Sequence, residues 1–239
     1  MMNSTERIVF PLDVPSSDEA LRLAGHLAGS VGLFKVGLEL FIRSGPEIVR
    51  RIREQTGTGI FLDLKLHDIP ETVRRAVAAA ADLGVELITV HCGESGRMLE
   101  AAVAGGGGRT KILGVTVLTS ISESDLRVAG VSASLDELVL RRAEAARKAG
   151  LAGVVCSGRE AGRIKARCGP GFIAVTPGIR PAWEGVGTDD QQRVMTPFEA
   201  VRNGADFLVI GRPIRDAADP KAAANRISVE IQEAIESMP

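Results

Sequence analysis

Short apolar runs rich in β-branched residues alternate with amphipathic helical patterns along the whole 239-residue chain. The eight runs are, in order, RIVFPLDV, LFKVG, IFLDLKL, LITVH, KILGVTVL, GVVCS, FIAVTPG and FLVIG. Several stretches between them, such as PETVRRAVAAAADLG, begin at Ser or Pro and end at Gly, as capped helices do. Eight such units predict one closed (β/α)8 TIM-type barrel domain over residues 1–239. An open doubly wound sheet usually has fewer strands and a glycine-rich first turn, which this chain lacks.

Charge and cysteine content exclude several classes of protein. The formal net charge is −1 with both signs mixed along the chain, which predicts no nucleic-acid partner and no membrane anchor. The cysteines Cys92, Cys156 and Cys168 are odd in number and widely spaced, as free thiols in a reducing compartment are. The amino terminus shows no signal pattern, and no apolar run reaches the roughly 18 residues of a membrane span. We therefore predict a cytoplasmic protein.

Polar residues end most of the early strands. In a (β/α)8 barrel the active site lies at the carboxyl ends of the strands. The polar residues there, in strand order from one to five, are Asp13, Lys35, Asp63 with Lys65, His91 and Thr119. Successive side chains of a strand point to opposite faces, so Asp63 and Lys65 share one face and the leucines between them share the other. These polar residues should converge at one opening of the barrel.

Asp13, Lys35, Asp63 and Lys65, with Asp68 just beyond strand three, form a set of alternating charges. One interpretation is a structural ion-pair network, although such networks stabilise a fold little compared with apolar packing. Another is a Schiff-base lysine, which requires a neutral amine, whereas neighbouring carboxylates favour the ammonium. Lys65 is therefore predicted to be a proton donor. A fixed carboxylate beside it would repel the carboxylate of a substrate, and the repulsion ends when that group leaves as carbon dioxide.

The segments TPGIRP after strand seven and IGRPI after strand eight predict a phosphate site, because the loops after these two strands often bind phosphate in such barrels. Gly211 allows backbone amides to approach an anion, Arg212 offers a bidentate donor, and Arg180 lies at the matching position. The alternative is that GRP is only a strand-to-helix turn with a solvated arginine.

The segment PAWEGVGTDDQQ follows Arg180 and contains the only tryptophan of the chain. It is either a lid whose Gln191 reaches the ligand on closure or an ordinary long loop. His91 and Cys92 are adjacent at a strand end, but two potential ligands do not make a metal site. We therefore predict no metal.

The segment FLDLKLHDIPETV resembles the D-x-K-x-x-D-I-x-x-T signature of the orotidine 5′-phosphate decarboxylase family. The resemblance extends along essentially the whole chain and is greatest to the bacterial branch. The further matching segments are LDV at Asp13, FKVG at Lys35, VLTS at Thr119, TPGIRP at Arg180, DQQRVMTP at Gln191 and VIGRPI at Arg212.

The resemblance implies a homodimeric barrel that converts orotidine 5′-phosphate to uridine 5′-phosphate and carbon dioxide without a cofactor, the last step of de novo pyrimidine synthesis. It implies that Lys65 gives a proton to C6 and that Asp63 faces the substrate carboxylate. Lys35 and Asp68 complete the charged set, with Asp68 supplied by the partner subunit.

The resemblance also implies the contacts to the rest of the substrate. Asp13 and Thr72, the latter from the partner subunit, match contacts to the ribose hydroxyls, and Thr119 matches a contact to the pyrimidine. The positions that match the phosphate side are Arg180, Gln191, Gly211 and Arg212. The choice of Gln191 over Gln192 rests on its place directly after TDD. Trp183 lies in a stretch without a fixed motif and receives no role.

Two alternative functions remain open. A related barrel decarboxylates a sugar phosphate through a magnesium-bound enediolate and shares the D-x-K-x-x-D spacing, but it should carry DAG where this chain has DIP. It also needs a metal-binding glutamate, for which Glu39 is the only candidate close to strand two. The second alternative is a non-catalytic barrel that binds a phosphorylated nucleotide.

Overall fold

Eight parallel strands form a closed barrel in which each strand pairs with the next and the eighth pairs with the first. The structure, a computed structural model, describes residues 2–93, 95–183 and 195–238. The strands are β1 Ile8–Pro11, β2 Leu33–Gly37, β3 Gly59–Leu66, β4 Leu87–His91, β5 Lys111–Val115, β6 Gly153–Val155, β7 Ile173–Thr176 and β8 Phe207–Val209. The predicted (β/α)8 barrel is confirmed.

Eleven α-helices lie within the described residues, more than one for each strand. They are α1 Ser17–Leu27, α2 Leu38–Ser44, α3 Glu47–Thr56, α4 Pro70–Asp82, α5 Gly96–Gly106, α6 Glu123–Val128, α7 Leu135–Lys148, α8 Gly158–Cys168, α9 Pro197–Arg202, α10 Arg212–Arg215 and α11 Pro220–Glu236. The short helices α2, α6 and α10 are additional to the eight that the sequence predicted. None of the helices in the described part of the chain is long and apolar enough to cross a membrane.

Five strands, β1, β5, β6, β7 and β8, are shorter than their apolar runs, and in β1 and β5 the difference changes the position of a predicted site residue. β1 ends at Pro11 and β5 at Val115, so Asp13 and Thr119 lie in the loops that follow and not at strand ends as predicted. The amide of Leu12 still donates to the carbonyl of Lys35 at 2.9 Å, but beyond it the chain leaves the sheet. Thr116 makes a longer backbone bond of 3.4 Å to β6 as β5 ends.

Apolar side chains fill two separate regions. The larger core lies between the outer face of the barrel and the surrounding helices. The smaller one fills the barrel interior and consists of Val9, Leu33, Phe61, Leu87, Leu113, Val175 and Phe207. Phe61 also lines a cavity that opens at the carboxyl end of the barrel, so the interior core forms the floor beneath the charged residues.

β3 pairs irregularly with β4 in the middle of the sequence motif. Leu62 pairs with Ile88 and Leu66 with Val90, so residues 63–65 lie opposite the single residue Thr89. Lys65 has a φ of 50°, the only positive φ among the non-glycine residues that the structure describes. Such an extra stretch in one strand is a β-bulge, a device that re-aims side chains near active sites.

Candidate active site

One cavity of about 440 Å³ opens at the carboxyl end of the barrel. Its volume is within the range of small-molecule sites. It gathers eight of the residues that the sequence singled out, namely Asp13, Lys35, Asp63, Lys65, Thr119, Arg180, Gly211 and Arg212. The bulge of β3 therefore leaves Asp63 and Lys65 on the inner face, as the alternation predicted.

Four charged side chains make a continuous chain of alternating sign on one side of the cavity. Nζ of Lys35 lies 2.9 Å from Oδ1 of Asp13 and 3.8 Å from Oδ2 of Asp63. Nζ of Lys65 lies 2.8 Å from the same Oδ2 of Asp63. The Asp63 side chain is 12% exposed and that of Lys35 11%, whereas that of Asp13 is 56% exposed. The middle of the set is thus withdrawn from water.

The carboxyl group of Asp63 is held in its ionised form. Burial alone would raise its pKa, but the positive charges of Lys35 and Lys65 oppose burial, as do hydrogen bonds from Lys65 and Thr89. The net result is a pKa below the ordinary value. A fixed negative charge therefore lies within hydrogen-bonding distance of the Lys65 ammonium.

Gly37, the last residue of β2, makes room for the outer ion pair. A β-carbon at this position would lie 3.0 Å from Nζ of Lys35 and 3.1 Å from Oδ1 of Asp13. These distances are tighter than ordinary van der Waals contacts, so one or both charged groups would have to shift to accommodate a larger residue. The close approach of Gly37 to the ion pair of Lys35 and Asp13 thus explains the glycine in FKVG.

Three arginines line the cavity from β7 and β8. Arg180 follows β7, while Arg212 and Arg215 lie on α10 directly after β8. The sequence analysis missed Arg215, although it lies three residues after Arg212, a spacing that puts two side chains on one helix face. Nε and Nη2 of Arg215 donate to the carboxylate of Asp216 at 2.7 and 3.2 Å, which orients its guanidinium.

Arg180 is fixed at its backbone. Its amide donates to the carbonyl of Met195 at 2.9 Å, and the amide of Met195 donates to the carbonyl of Gly178 at 3.3 Å. Gly178 has a φ of 77°, a conformation that favours glycine. The backbone of the TPG turn is therefore held in place, and Arg180, two residues after its glycine, lines the cavity.

Two predicted site residues that the structure describes, Asp68 and Thr72, are not among those lining this cavity. Asp68 and Thr72 are exposed, and Oδ1 of Asp68 accepts a hydrogen bond from the amide of Ile69 at 2.6 Å. Gln191 lies outside the described residues, as does Gln192. Trp183 is not a lining residue, and its ring packs against the guanidinium of Arg226, whose central carbon is 4.0 Å from the ring centroid.

Thr89 is a second residue that the sequence analysis missed. It is fully buried on β4, and its hydroxyl contacts both Asp63 and the backbone of Lys65. Its signal in the sequence is weak but present, since Thr89 is the polar residue at the centre of LITVH, two positions before His91. Alternation puts both on the inner face of the barrel.

The histidines and cysteines near the cavity differ in their surroundings. Within the described ranges no three His, Cys, Asp or Glu side chains are grouped to hold a metal ion. The rings of His67 and His91 lie 5.6 Å apart between centroids. All three cysteines are buried and free, and burial raises the pKa of Cys92 to about 12.

Comparison with known proteins agrees with this geometry. Residues 6–227 match the model of the orotidine 5′-phosphate decarboxylase / HUMPS family. The orotidine 5′-phosphate decarboxylase of Desulfosudis oleivorans is 52% identical over 233 residues, which cover 95% of this chain and 94% of that protein. The Geobacter sulfurreducens protein of the same name is 48% identical over 232 residues, covering 95% and 96%.

A solved structure extends the agreement to the fold. The crystal structure of orotidine 5′-phosphate decarboxylase from Lactobacillus acidophilus superposes with a TM-score of 0.83 at 36% sequence identity, covering 94% of this chain and 98% of that one. The sequence, the closed barrel and its charged cavity lead to one conclusion. This chain belongs to the orotidine 5′-phosphate decarboxylase / HUMPS family.

Proposed function

We propose that this protein decarboxylates orotidine 5′-phosphate to uridine 5′-phosphate and carbon dioxide, the last step of de novo pyrimidine synthesis. The observation that carries the proposal is one cavity with the Asp63–Lys65 pair on one side and three arginines on the other. The names of the relatives support it. The substrate has the matching features, an acidic group at the reacting carbon and a phosphate at the far end.

The arginines would bind the phosphate. Arg180, Arg212 and Arg215 offer charge-assisted hydrogen bonds, and guanidinium groups suit phosphate because they can donate two bonds at once. A β-carbon at Gly211 would lie 2.9 Å from Cγ of Pro11, so glycine suits this point of the lining, and Gln191 would add a contact to the phosphate. Binding energy gained at the phosphate can be expressed in the transition state rather than in ground-state affinity.

Asp13 would contact the ribose hydroxyls and Thr119 the pyrimidine, which directs the carboxylate at C6 of the ring toward Asp63. Asp63 is ionised and largely buried, so two negative groups are forced together. The repulsion is relieved when the substrate carboxylate departs as neutral carbon dioxide. Lys35 lies between the two carboxylates, 2.9 Å from Oδ1 of Asp13 and 3.8 Å from Oδ2 of Asp63, and holds both in place.

Lys65 would supply the proton. The bond between C6 and the carboxylate breaks, and its electron pair stays on C6 in the plane of the ring, where the π system cannot delocalise it. The Lys65 ammonium stabilises the developing charge as a preorganised cation and then transfers one proton to C6. The neutral amine of Lys65 regains its proton from water. The atoms and charges of the proposed reaction therefore balance without a cofactor.

We also propose a homodimer in which Asp68 and Thr72 complete the site of the partner subunit. Both are exposed and absent from the lining of their own cavity. Large apolar side chains are exposed on the segments that follow β2 and β3, with Ile42 on α2 at 76% and Ile69, next to Asp68, at 67%. Exposed apolar groups of this size around a site favour an interface between proteins.

The sugar-phosphate alternative is less well supported. Glu39 lies on α2 with its side chain 56% exposed, where it accepts a hydrogen bond from Arg43 at 3.2 Å. It does not line the cavity.

We further propose that residues 1–239 form one barrel domain in the cytoplasm, in keeping with three buried free thiols.

The experiment that tests the function is the loss of orotidine 5′-phosphate absorbance on adding purified protein, with and without chelator. We expect equal rates in both conditions and stoichiometric uridine 5′-phosphate. Loss of activity with chelator and its rescue by magnesium would favour the sugar-phosphate enzyme. Tight binding of the nucleotide without turnover would favour the non-catalytic barrel.

A further inference from the structure

The side chain of Thr89 connects the two residues at the centre of the charged set. Thr89 is fully buried on β4. Its Oγ1 lies 2.9 Å from the backbone nitrogen of Lys65 and 2.9 Å from Oδ1 of Asp63. It is also the one residue of β4 opposite the three bulged residues of β3. Thr89 therefore makes its hydrogen bonds at the point where the regular pairing of β3 and β4 is interrupted.

The direction of both hydrogen bonds is fixed by chemistry. A backbone N–H can only donate, so Oγ1 of Thr89 accepts from Lys65. An ionised carboxylate can only accept, so the single hydroxyl proton of Thr89 must go to Asp63. The two oxygens of Asp63 are thereby divided, with Oδ1 held by Thr89 and Oδ2 by Lys65.

The backbone of Lys65 needs such a contact. Its φ of 50° lies in the left-handed region, which is unfavourable for a residue with a β-carbon. Residues in this region persist only where the surroundings hold them. The bond from the Lys65 amide to Thr89 is part of that support, and it satisfies an amide that the bulge has removed from the β3–β4 ladder.

We propose that Thr89 is a positioning residue for decarboxylation, which fixes the Asp63 carboxylate and the bulged backbone of Lys65 at once. This proposal rests on the proposed function and adds a residue to it. Thr89 is not among the residues that line the cavity. It acts through Asp63 and Lys65.

The test compares Thr89→Val, which keeps the shape of the side chain but removes the hydroxyl, with Thr89→Ser, which keeps the hydroxyl. A hydrogen bond to a charged group predicts a fall in kcat of about 10- to 100-fold for Thr89→Val. KM should change by less than about threefold, because the arginines that bind the phosphate are untouched. Thr89→Ser should recover most of the lost kcat.

The matched control is Thr116→Val. Thr116 is also buried, just beyond β5, and its hydroxyl donates to the carbonyl of Val155 at 3.1 Å. It makes the same kind of cross-strand contact without touching the charged set. We expect wild-type kcat for this variant, whatever its thermal stability.

A readout that does not depend on turnover is the titration of the Asp63 carboxyl carbon by NMR, identified by its absence in Asp63→Asn. Loss of the Thr89 donor should raise the pKa of Asp63 in Thr89→Val and not in Thr116→Val. The other charged groups around Asp63 remain in every variant; they are Lys35 from β2, Lys65 from β3, His91 from β4 and, through Lys35, Asp13.

An unchanged kcat and an unchanged Asp63 titration in folded Thr89→Val would overturn the proposal, as would equal losses in Thr89→Val and Thr89→Ser. If Thr89→Val does not fold, Thr89→Ala removes the same hydroxyl without adding bulk, and the same criteria apply to it. A wild-type protein without decarboxylase activity would refute the proposed function, whereas the titration would still decide the role of Thr89.

Discussion

Nζ of Lys65 lies 2.8 Å from Oδ2 of Asp63, two positions earlier on the same strand. In a regular strand such residues have α-carbons about 6.6 Å apart and parallel side chains. Here the bulge and the positive φ of Lys65 turn the ammonium onto the carboxylate. A left-handed backbone costs roughly 1–2 kcal/mol at a residue with a β-carbon, and its location at this pair is typical of functional sites.

Replacing Arg212 with Ala should weaken the use of the phosphorylated substrate. A charge-assisted contact to phosphate is worth about 2 kcal/mol, which corresponds to a roughly 30-fold loss in kcat/KM. Steady-state kinetics with orotidine 5′-phosphate measures this loss. Orotidine without the phosphate should be a poor substrate for the wild type and no worse for the variant.

The control for Arg212 is Arg109→Ala. Arg109 donates to Asp82 at 2.6 Å and does not line the cavity at the carboxyl end. It should keep wild-type kinetics. Equal damage by Arg212→Ala to the phosphorylated and phosphate-free substrates would show that Arg212 does not bind the phosphate.

His91 should make the fold less stable as the pH falls below about 6.5. The pKa of His91 is lower than the ordinary 6.5, chiefly because of burial, with positive charge on His67, Lys65 and Arg142 adding to the effect. Between the folded pKa and 6.5 the unfolded chain binds more protons, so acid favours unfolding. The pKa of Asp63 is also lowered, so its contribution to the free energy of unfolding is lost only at pH values below 3.8.

Urea unfolding at pH 7.5 and pH 5.5 measures this effect. The free energy of unfolding should fall more between these pH values in the wild type than in His91→Asn. His26→Asn, a change at an exposed histidine near the end of α1, should behave as the wild type does. An identical pH dependence in the wild type and His91→Asn would contradict this prediction.

Hybrid dimers test whether Asp68 serves the partner site. Lys65→Ala and Asp68→Ala homodimers should both be nearly inactive. In a hybrid of the two, one site carries both changes and the other carries neither. Random exchange makes about half of the dimers hybrid, so roughly a quarter of all sites should regain wild-type activity.

Co-expression with two affinity tags isolates the hybrids for this assay. Verified hybrids that stayed as inactive as their parents would place Asp68 in the same site as Lys65 of its own chain. The shared site would then have to be abandoned, although the decarboxylase activity itself would not be affected.

The barrel could be predicted because its signal is repeated eight times and depends on local patterns. LFKVG and LITVH coincide with β2 and β4, and Ser16 caps α1 by accepting from the amide of Glu19 at 3.3 Å. The predicted ends of β1 and β5 were wrong because the apolar runs in the sequence continue past the last residues that pair regularly in the sheet. Apolar character alone does not show where a ladder of hydrogen bonds stops.

The charged set could be predicted for a similar reason, since parallel strands bring their carboxyl ends together. The bulge in β3 could not, because it depends on the pairing of residues 63–65 with Thr89, which lies more than 20 positions away along the chain. Arg215 was missed because α10 is too short to give a helical pattern. The long-range hydrogen bonds that orient the charges leave little trace in one sequence.

The most direct test of the account is the release of carbon dioxide from orotidine 5′-phosphate by the wild type and Lys65→Ala, with folding checked by circular dichroism. Lys111→Ala, an exposed lysine at the opposite end of the barrel, is the control. We expect equimolar carbon dioxide and uridine 5′-phosphate from the wild type and the control. Loss of the charge and the proton should slow Lys65→Ala by about 10³-fold or more. Folded Lys65→Ala with activity within about tenfold of wild type, well short of the 10²–10⁴-fold of a general acid, would contradict the proton-donor role.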